Sequence, residues 1–337
     1  MSLLRRLRQP RTFLSVALPL LIMGVAAALN WRDLQAVPSR IAAADPRLLI
    51  AAFGSYYLGF LIRGSRWQRL LAGAGYKIRT GDATEILFLS WLVNCVVPAK
   101  LGDLYRVYLL KINAPVSGTK TLGTLFTERI LDLIALGLLG ILSGYWCFHD
   151  RLNTIPDGMR LIFFLAAGLV ILLLVIMAGL YHFGARLVAR LPLPARIAAY
   201  YQHLEAGIFG SLNWRRLPSL TLLTVLVWLS ESVRFYLVVL ALGFQLDFSA
   251  AIFVTLIGAL LTAVPLTPAG LGLVELGMGG VLTKIFNFAA GPAVAIILVD
   301  RAISVFSVII LGSLAYLISG KPRGRGLALV DQTPPSL

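Results

Sequence analysis

The stretch Val264-Pro265-Leu266-Thr267-Pro268-Ala269-Gly270-Leu271-Gly272-Leu273-Val274-Glu275 breaks a long apolar run with two prolines, two glycines and a carboxylate. Proline removes a backbone donor and glycine loosens the chain, so no continuous membrane helix can pass through this point. The same device stands earlier as Val97-Pro98-Ala99-Lys100-Leu101-Gly102-Asp103. Pro-Ala-x-Leu-Gly thus recurs after about half the chain length, and the sequence reads as duplicated.

The apolar runs dominate. Hydrophobic residues make up 58% and charged residues 13% of 337, with a mean hydropathy of +0.86, whereas soluble domains carry roughly 25% charged residues. The chain is therefore expected to be an all-α polytopic membrane protein. Its net charge of +15 lies mostly in short segments between apolar runs, which is the distribution of topology signals and not of a nucleic-acid surface. Cys95 and Cys147 lie in apolar segments without metal-ligand or paired-thiol spacing, and read as inert thiols.

In chain order, residues 1–47 hold an Arg-rich start, an apolar run from Thr12 to Leu29 that reads as an uncleaved helix, and a polar loop. Residues 48–183 form a first membrane repeat. It has a span from Leu48 to Ala74, a short arm from Ile86 to Val97, a tip at Pro98 to Gly102, a returning arm from Leu104 to Leu110, and spans over Leu122 to Phe148 and Leu161 to Phe183. The short arm would measure only ~18 Å as a helix, against a ~30 Å hydrocarbon core, so it reads as half of a re-entrant hairpin. Residues 184–217 are a connector whose Ile197 to Phe209 part suits an interfacial helix. Residues 218–320 repeat the pattern: a span over Leu220 to Phe244, a short arm over Ala250 to Val264, a return over Leu273 to Ile285, and a span over Pro292 to Ile318. A polar tail, 321–337, follows. The expected architecture is six full spans plus two re-entrant helical hairpins, arranged as an inverted repeat.

Orientation follows from lysine and arginine. With a cytoplasmic N-terminus and hairpins that return to their own side, sixteen such residues fall on the cytoplasmic side and six opposite. This places both termini in the cytoplasm of a cell whose cytoplasmic (inner) membrane holds the chain. Ordinary spanning pairs in place of the hairpins would preserve most loop sides, so charge alone does not establish re-entry.

The residues that carry chemistry are charges inside apolar segments. Arg63, Arg66, Arg106, Arg129, Arg234 and Arg301 stand there against Asp103, Glu128, Asp132, Glu231, Glu275 and Asp300. Each costs about 2.5 to 3.5 kcal/mol at a helix centre on insertion scales, so such groups face a bundle interior or a wet cavity. Their placement repeats too, Arg63 with Arg234 and Glu128-Arg129 with Asp300-Arg301. Arg129 and Asp132, like Glu231 and Arg234, are three apart and can share a helix face, which fits either architectural pairing or a substrate site. Arg63, Arg66 and Arg69 stack like charges on one side. Arg69 is expected to snorkel to the interface, with Trp67 as an interfacial aromatic, and Arg63 needs Asp103, Glu128 or a phosphate as its anion. The tips Pro98, Gly102, Pro265, Pro268, Gly270 and Gly272 either permit tight helix packing or line a mid-membrane cavity. His149, His182 and His203 form no ligand spacing, and no nucleophile motif or phosphate loop accompanies the carboxylates. No catalytic residue, metal site or cofactor is expected.

Taken together, Arg66-Trp67, Asn94 with Pro98, Gly102, Asp103 and Arg106, Glu128-Arg129 with Asp132, Pro265, Pro268, Gly270, Gly272 and Glu275, and Arg301 resemble the lysylphosphatidylglycerol synthase transmembrane, or flippase-like, family. The resemblance covers nearly the whole chain. Ala269 departs from it, standing where the family often has glycine, which bears on tip geometry. Some members join such a region to a soluble aminoacyl-transferring domain, and no such domain is read in this sequence. The resemblance therefore implies the translocating part alone, a stand-alone lipid translocase with a membrane lipid as substrate and room for a lipid-modifying partner enzyme. A small-solute secondary transporter and a non-transporting membrane accessory remain as alternatives.

The topology makes a direct prediction. Single cysteines at Leu152 and Phe248 should react with an impermeant thiol reagent from outside intact cells, and a connector position such as Gly207 should react only after permeabilisation.

Overall fold

The computed structural model describes residues 35–98, 100–148, 194–212, 215–263 and 267–324, with isolated helical positions between 168 and 182. The expected helix over Thr12 to Leu29, Pro265, Leu152 and most of Leu161 to Phe183 lie outside these. The described elements are helical: α1 (Val37–Ala42), α2 (Pro46–Gly73), α3 (Thr80–Val96), α4 (Leu101–Asn113), α5 (Gly118–Phe148), α6 (Ala195–Ser211), α7 (Leu217–Ala241), α8 (Phe248–Ala263), α9 (Leu273–Lys284), α10 (Ala290–Arg301) and α11 (Ser307–Ile318), with a π-helical segment at Ala302–Phe306.

Four of these bodies are long and apolar enough to cross a membrane: α2, α5, α7 and the continuous run Ala290–Ile318. At 1.5 Å per residue each exceeds a ~30 Å core. Helices α3, α4, α8 and α9 contain 17, 13, 16 and 12 residues, or roughly 18 to 26 Å, and none of them spans alone. The short arms of the sequence are thus short helices. The first begins at Thr80, earlier than Ile86, because Asp82 and Glu85 belong to its opening. Asp82 sits in the first turn, where the helix dipole favours an acid. Lys321 binds its carboxylate at 2.5 Å, and Ser319 donates to Glu85.

The chain divides into two compact units. One contains Gly59–Phe88, Asp103–Trp228 and Ile318–Leu337. Here α6 lies against the N-terminal part of α5 at a glycine crossing. A Cβ on Gly207 would stand 2.2 Å from the Lys120 carbonyl oxygen, and one on Gly123 2.5 Å from that of Leu204. Small residues let backbones meet this closely, and Ser211 adds a hydrogen bond from α6 to the Leu70 carbonyl at 3.2 Å. The helix expected at the interface is therefore packed along one side by its Gly207–Ile208 edge, while Tyr200 and His203 stay exposed.

The other unit contains Met1–Leu58, Leu89–Gly102 and Leu229–Leu317. Its helices α8 and α9 form a hairpin in which Gly258 faces Met278 and Gly277 faces Leu261. Both proline tips fall in this unit. Lys100 has φ 51° and Gly270, at the same place in its own Pro-Ala-x-Leu-Gly, φ 71°. Ala269 also adopts φ 51°, a left-handed conformation that disfavours a Cβ and explains why glycine suits the position better.

The Gly207 crossing changes the labelling experiment, since a cysteine there would push α6 off α5. His203 is the appropriate inward probe. Gly207→Val should lower thermal stability in detergent by the equivalent of about 1–3 kcal/mol, the usual range for overpacking, and His203→Cys should leave the unfolding midpoint unchanged in the same assay.

Candidate functional site

Within the first unit, α2, α4 and α5 bring six of the charged residues together in an alternating ring. Arg66 on α2 holds Asp132 through both guanidinium nitrogens, at 2.6 and 3.3 Å, and reaches Glu128 at 3.4 Å. Glu128 accepts from Arg106 at 2.9 Å. Arg106 lies 3.6 Å from Asp103, one turn earlier on α4. Asp103 accepts from Arg129 with both oxygens at 3.0 Å, and Arg129 returns to Asp132 at 3.7 Å. Each carboxylate touches two arginines and each arginine two carboxylates, so the ring is neutral. The local cause is spacing: Asp103 and Arg106, and Arg129 and Asp132, are i,i+3 pairs on single helix faces.

Burial is uneven around this ring. The Arg66, Arg106 and Glu128 side chains are 3% exposed or less and Asp132 9%, whereas Asp103 is 22% and Arg129 36% exposed. Arg106 lies across Trp67, 5.1 Å from the ring centroid. Trp67 is fully buried and directs its Nε1 toward Thr124 Oγ1 at 3.4 Å. This corrects its assignment as an interfacial aromatic: the indole is the platform on which Arg106 rests. Several donor directions stay unused among the described residues, since Arg66 Nε, Arg106 Nε and Nη2, and Arg129 Nε have no hydrogen-bond partner there. Arg63 is buried one turn before Arg66, and Arg69 is exposed, as expected for a snorkelling residue.

The second unit holds a shorter arrangement. Arg234 on α7 binds Glu231 at 2.7 Å and Asp300 at 2.9 Å, with its guanidinium 5.0 Å from the Tyr56 ring. Arg301 meets Glu275 at 2.7 Å. Here two arginines face three carboxylates. Tyr56 donates to the Ser304 carbonyl at 2.8 Å, inside the π-helical segment that follows Arg301, a distortion common at functional sites.

The hairpin tips are closed by side chains. Asn94 Oδ1 accepts from the Gly102 N–H at 2.8 Å, and Gly102 is required there, because a Cβ would stand 2.1 Å from the Ser90 carbonyl oxygen. In the second hairpin Glu275 Oε2 accepts from Gly272 N–H at 2.6 Å while its other oxygen faces Arg301. Asn94 and Glu275 thus cap helices α4 and α9, satisfying backbone donors at their first turns. Pro98 and Pro268 stand just before these caps. Sequence reasoning did not find Trp67 as a partner of Arg106, Thr224, whose hydroxyl accepts from Arg66 at 3.1 Å, or Tyr56. A threonine or tyrosine in an apolar helix gives no distinguishing signal. Among the described residues no group of three or more His, Cys, Asp and Glu could hold a metal.

These features define a multi-pass, all-helical membrane protein built around buried charge clusters. The chain belongs to the family of the lysylphosphatidylglycerol synthase transmembrane region, which matches it over residues 13–312. It is 34% identical to a UPF0104 membrane protein of Methanocaldococcus jannaschii over 67% of this chain and 93% of that one. A UPF0104 membrane protein of Pyrococcus horikoshii is 22% identical, over 90% and 97%. Glycosyltransferase AglD of Haloferax volcanii is 25% identical over 92% of this chain but only 54% of its own length.

The two burial classes predict different costs. Arg234→Gln removes the buried guanidinium shared by Asp300 and Glu231 and should destabilise the protein by about 3–5 kcal/mol. Arg129→Gln should cost less, because Asp103 keeps Arg106 beside it and Asp132 keeps Arg66. Thermal unfolding of the two purified variants in one detergent measures the difference.

Proposed function

We propose that the protein is a lipid translocase that moves a phospholipid or other phosphate-bearing lipid between leaflets. The observation that carries this reading is the buried ring with unused donors: Arg66 Nε and Arg106 Nε and Nη2 are guanidinium N–H groups inside apolar helices, still lacking acceptors. A guanidinium recognises phosphate by paired N–H···O bonds. Buried donors without acceptors are disfavoured, and a lipid phosphate supplies acceptors where water is scarce.

The second support is architectural. Broken helices whose tips are capped internally let polar backbone sit at membrane depth around a site. An inverted repeat would expose such a site to each side in turn, and the pairs support a repeat. Asp103–Arg129 and Glu275–Arg301 are both formed, and their members stand at the same offset along the chain. A family description that names a lysylphosphatidylglycerol synthase supports a lipid as the substrate, and one relative is named a glycosyltransferase. Nearly half of that relative lies outside the match, so its name assigns no transfer chemistry to the shared part. We read this chain as the translocating part and not an enzyme, in a cytoplasmic membrane with both termini inside, serving a lipid-modifying partner.

Vesicles reconstituted with the protein and a headgroup-labelled phospholipid should show leaflet exchange above empty vesicles. Arg106→Gln should reduce that exchange at least tenfold, a loss of about 1.4 kcal/mol or more, while the variant elutes as a folded species. Absence of exchange across a panel of phospholipids and polyprenyl-linked lipids, together with accumulation of a water-soluble substrate, would establish the solute-transporter alternative instead.

A further inference from the structure

We infer that Asp103 occupies the place an incoming phosphate takes, so that a phosphodiester binds the ring by exchanging with a carboxylate of the protein itself. This rests on the translocase reading and specifies how its substrate enters. Three features of one corner of the ring carry it.

Access comes first. Asp103 and Arg129, at 22% and 36% exposed, form the open corner, while Arg66, Arg106, Glu128 and Asp132 are 9% exposed or less. Donor atoms without a hydrogen-bond partner among the described residues belong to the two arginines beside Asp103. Both oxygens of Asp103 are taken by one nitrogen, Arg129 Nη2, at 3.0 Å. Arg106 Nη2 is left 3.6 Å from Asp103, outside hydrogen-bond reach, and Arg106 Nε and Arg129 Nε have no acceptor. Both Asp103 oxygens are engaged by Arg129, whereas a phosphodiester presents its oxygens tetrahedrally and can accept from both arginines at once.

Release is the third feature. Asp103 lies in the first turn of α4, yet Asn94 closes that helix by accepting from Gly102. The carboxylate can therefore swing out without uncapping the tip. Its counterpart Glu275 has no such freedom, since it caps Gly272 and pairs with Arg301 at once.

Charge selects the ligand. With Asp103 in place the ring is neutral; with Asp103 displaced, three arginines face two carboxylates, and one negative charge restores balance. A phosphodiester carries one such charge. A phosphate monoester, with a second pKa near 6, carries close to two at neutral pH and overshoots.

The test is calorimetric binding of dihexanoylphosphatidylmethanol to the full-length protein in detergent, beside dihexanoylphosphatidate, dimethyl phosphate and dihexanoylglycerol. The wild type should bind the phosphodiester lipid in preference to the glyceride and to the monoester. Asp103→Asn should bind it roughly tenfold more tightly, because the internal competitor is gone, and Arg129→Gln more weakly. Equal or weaker binding by folded Asp103→Asn overturns the exchange. If that variant is not recovered folded, infrared difference spectra of the wild type decide: the phosphodiester lipid, but not the glyceride, should shift a carboxylate band, and an unchanged spectrum overturns the inference. Binding that is insensitive to Asp103 sinks the exchange alone. Failure of every phosphate-bearing probe to bind wild type or variant sinks the translocase reading with it. Dimethyl phosphate binding as tightly as the lipid, with the Asp103 effect intact, keeps the exchange and reassigns the protein to solute transport.

Discussion

Scarcity of water inside a bilayer governs this molecule. In water an arginine or an interrupted helix needs no partner from the protein; in hydrocarbon each needs one within about 3 Å. The ring on α2, α4 and α5 answers the first need and the capped tips answer the second. The two answers are connected. Asp103 stands one residue after Gly102, whose N–H the Asn94 amide holds, and Glu275 serves both needs with one carboxylate. Position in the hairpin and position in the charge network are fixed together.

Pairing in a ring also bears on why these charges tolerate burial. A lone buried ion pair is often worth no more than the apolar residues that could replace it. In the ring each anion is shared by two cations, so losing one contact leaves a second in place. Such an arrangement can change partners without exposing an isolated charge, which a site that alternately binds and releases an anion requires. The arrangement around Arg234 is built differently: one guanidinium holds both Glu231 and Asp300. The first cluster suits exchange, and the second suits anchoring of α7 to α10.

Much of this was legible from residues because the bilayer restricts the alternatives. Long apolar runs with Pro-Gly breaks allow little besides spans and short helices, and α2, α5, α7 and Ala290–Ile318 lie where hydropathy places them. The i,i+3 pairs Arg129–Asp132 and Glu231–Arg234 could be read directly, since one helix fixes both members. Partners on different helices could not. Nothing in the spacing says that Arg66 prefers Asp132 or that Arg106 lies over Trp67, because these contacts depend on how three helices meet. The opening of α3 was misjudged for a related reason: Asp82 and Glu85 look like loop residues until Lys321 and Ser319, distant in sequence, are seen beside them. Gly207 carried its information only as the absence of a side chain, which acquires meaning when α5 is found against it.

The equivalence of the halves is closest where it concerns the tips and weakest where it concerns the charge count. Lys100 and Gly270 share a left-handed backbone, and Asp103–Arg129 and Glu275–Arg301 share an ion pair. Arg66, Arg106 and Asp132 break the correspondence, since at the offset that matches Arg129 to Arg301 their places fall to Val238, Met278 and Ser304. Without those three the ring does not close, and Glu275 is held by Arg301 together with the Gly272 N–H at the start of its own helix. Several substitutions together therefore separate a tip acid held in a closed ring from a tip acid that also caps its own helix. If the halves descend from one unit, divergence at these positions would convert two equivalent anion sites into one exchangeable site and one fixed strut.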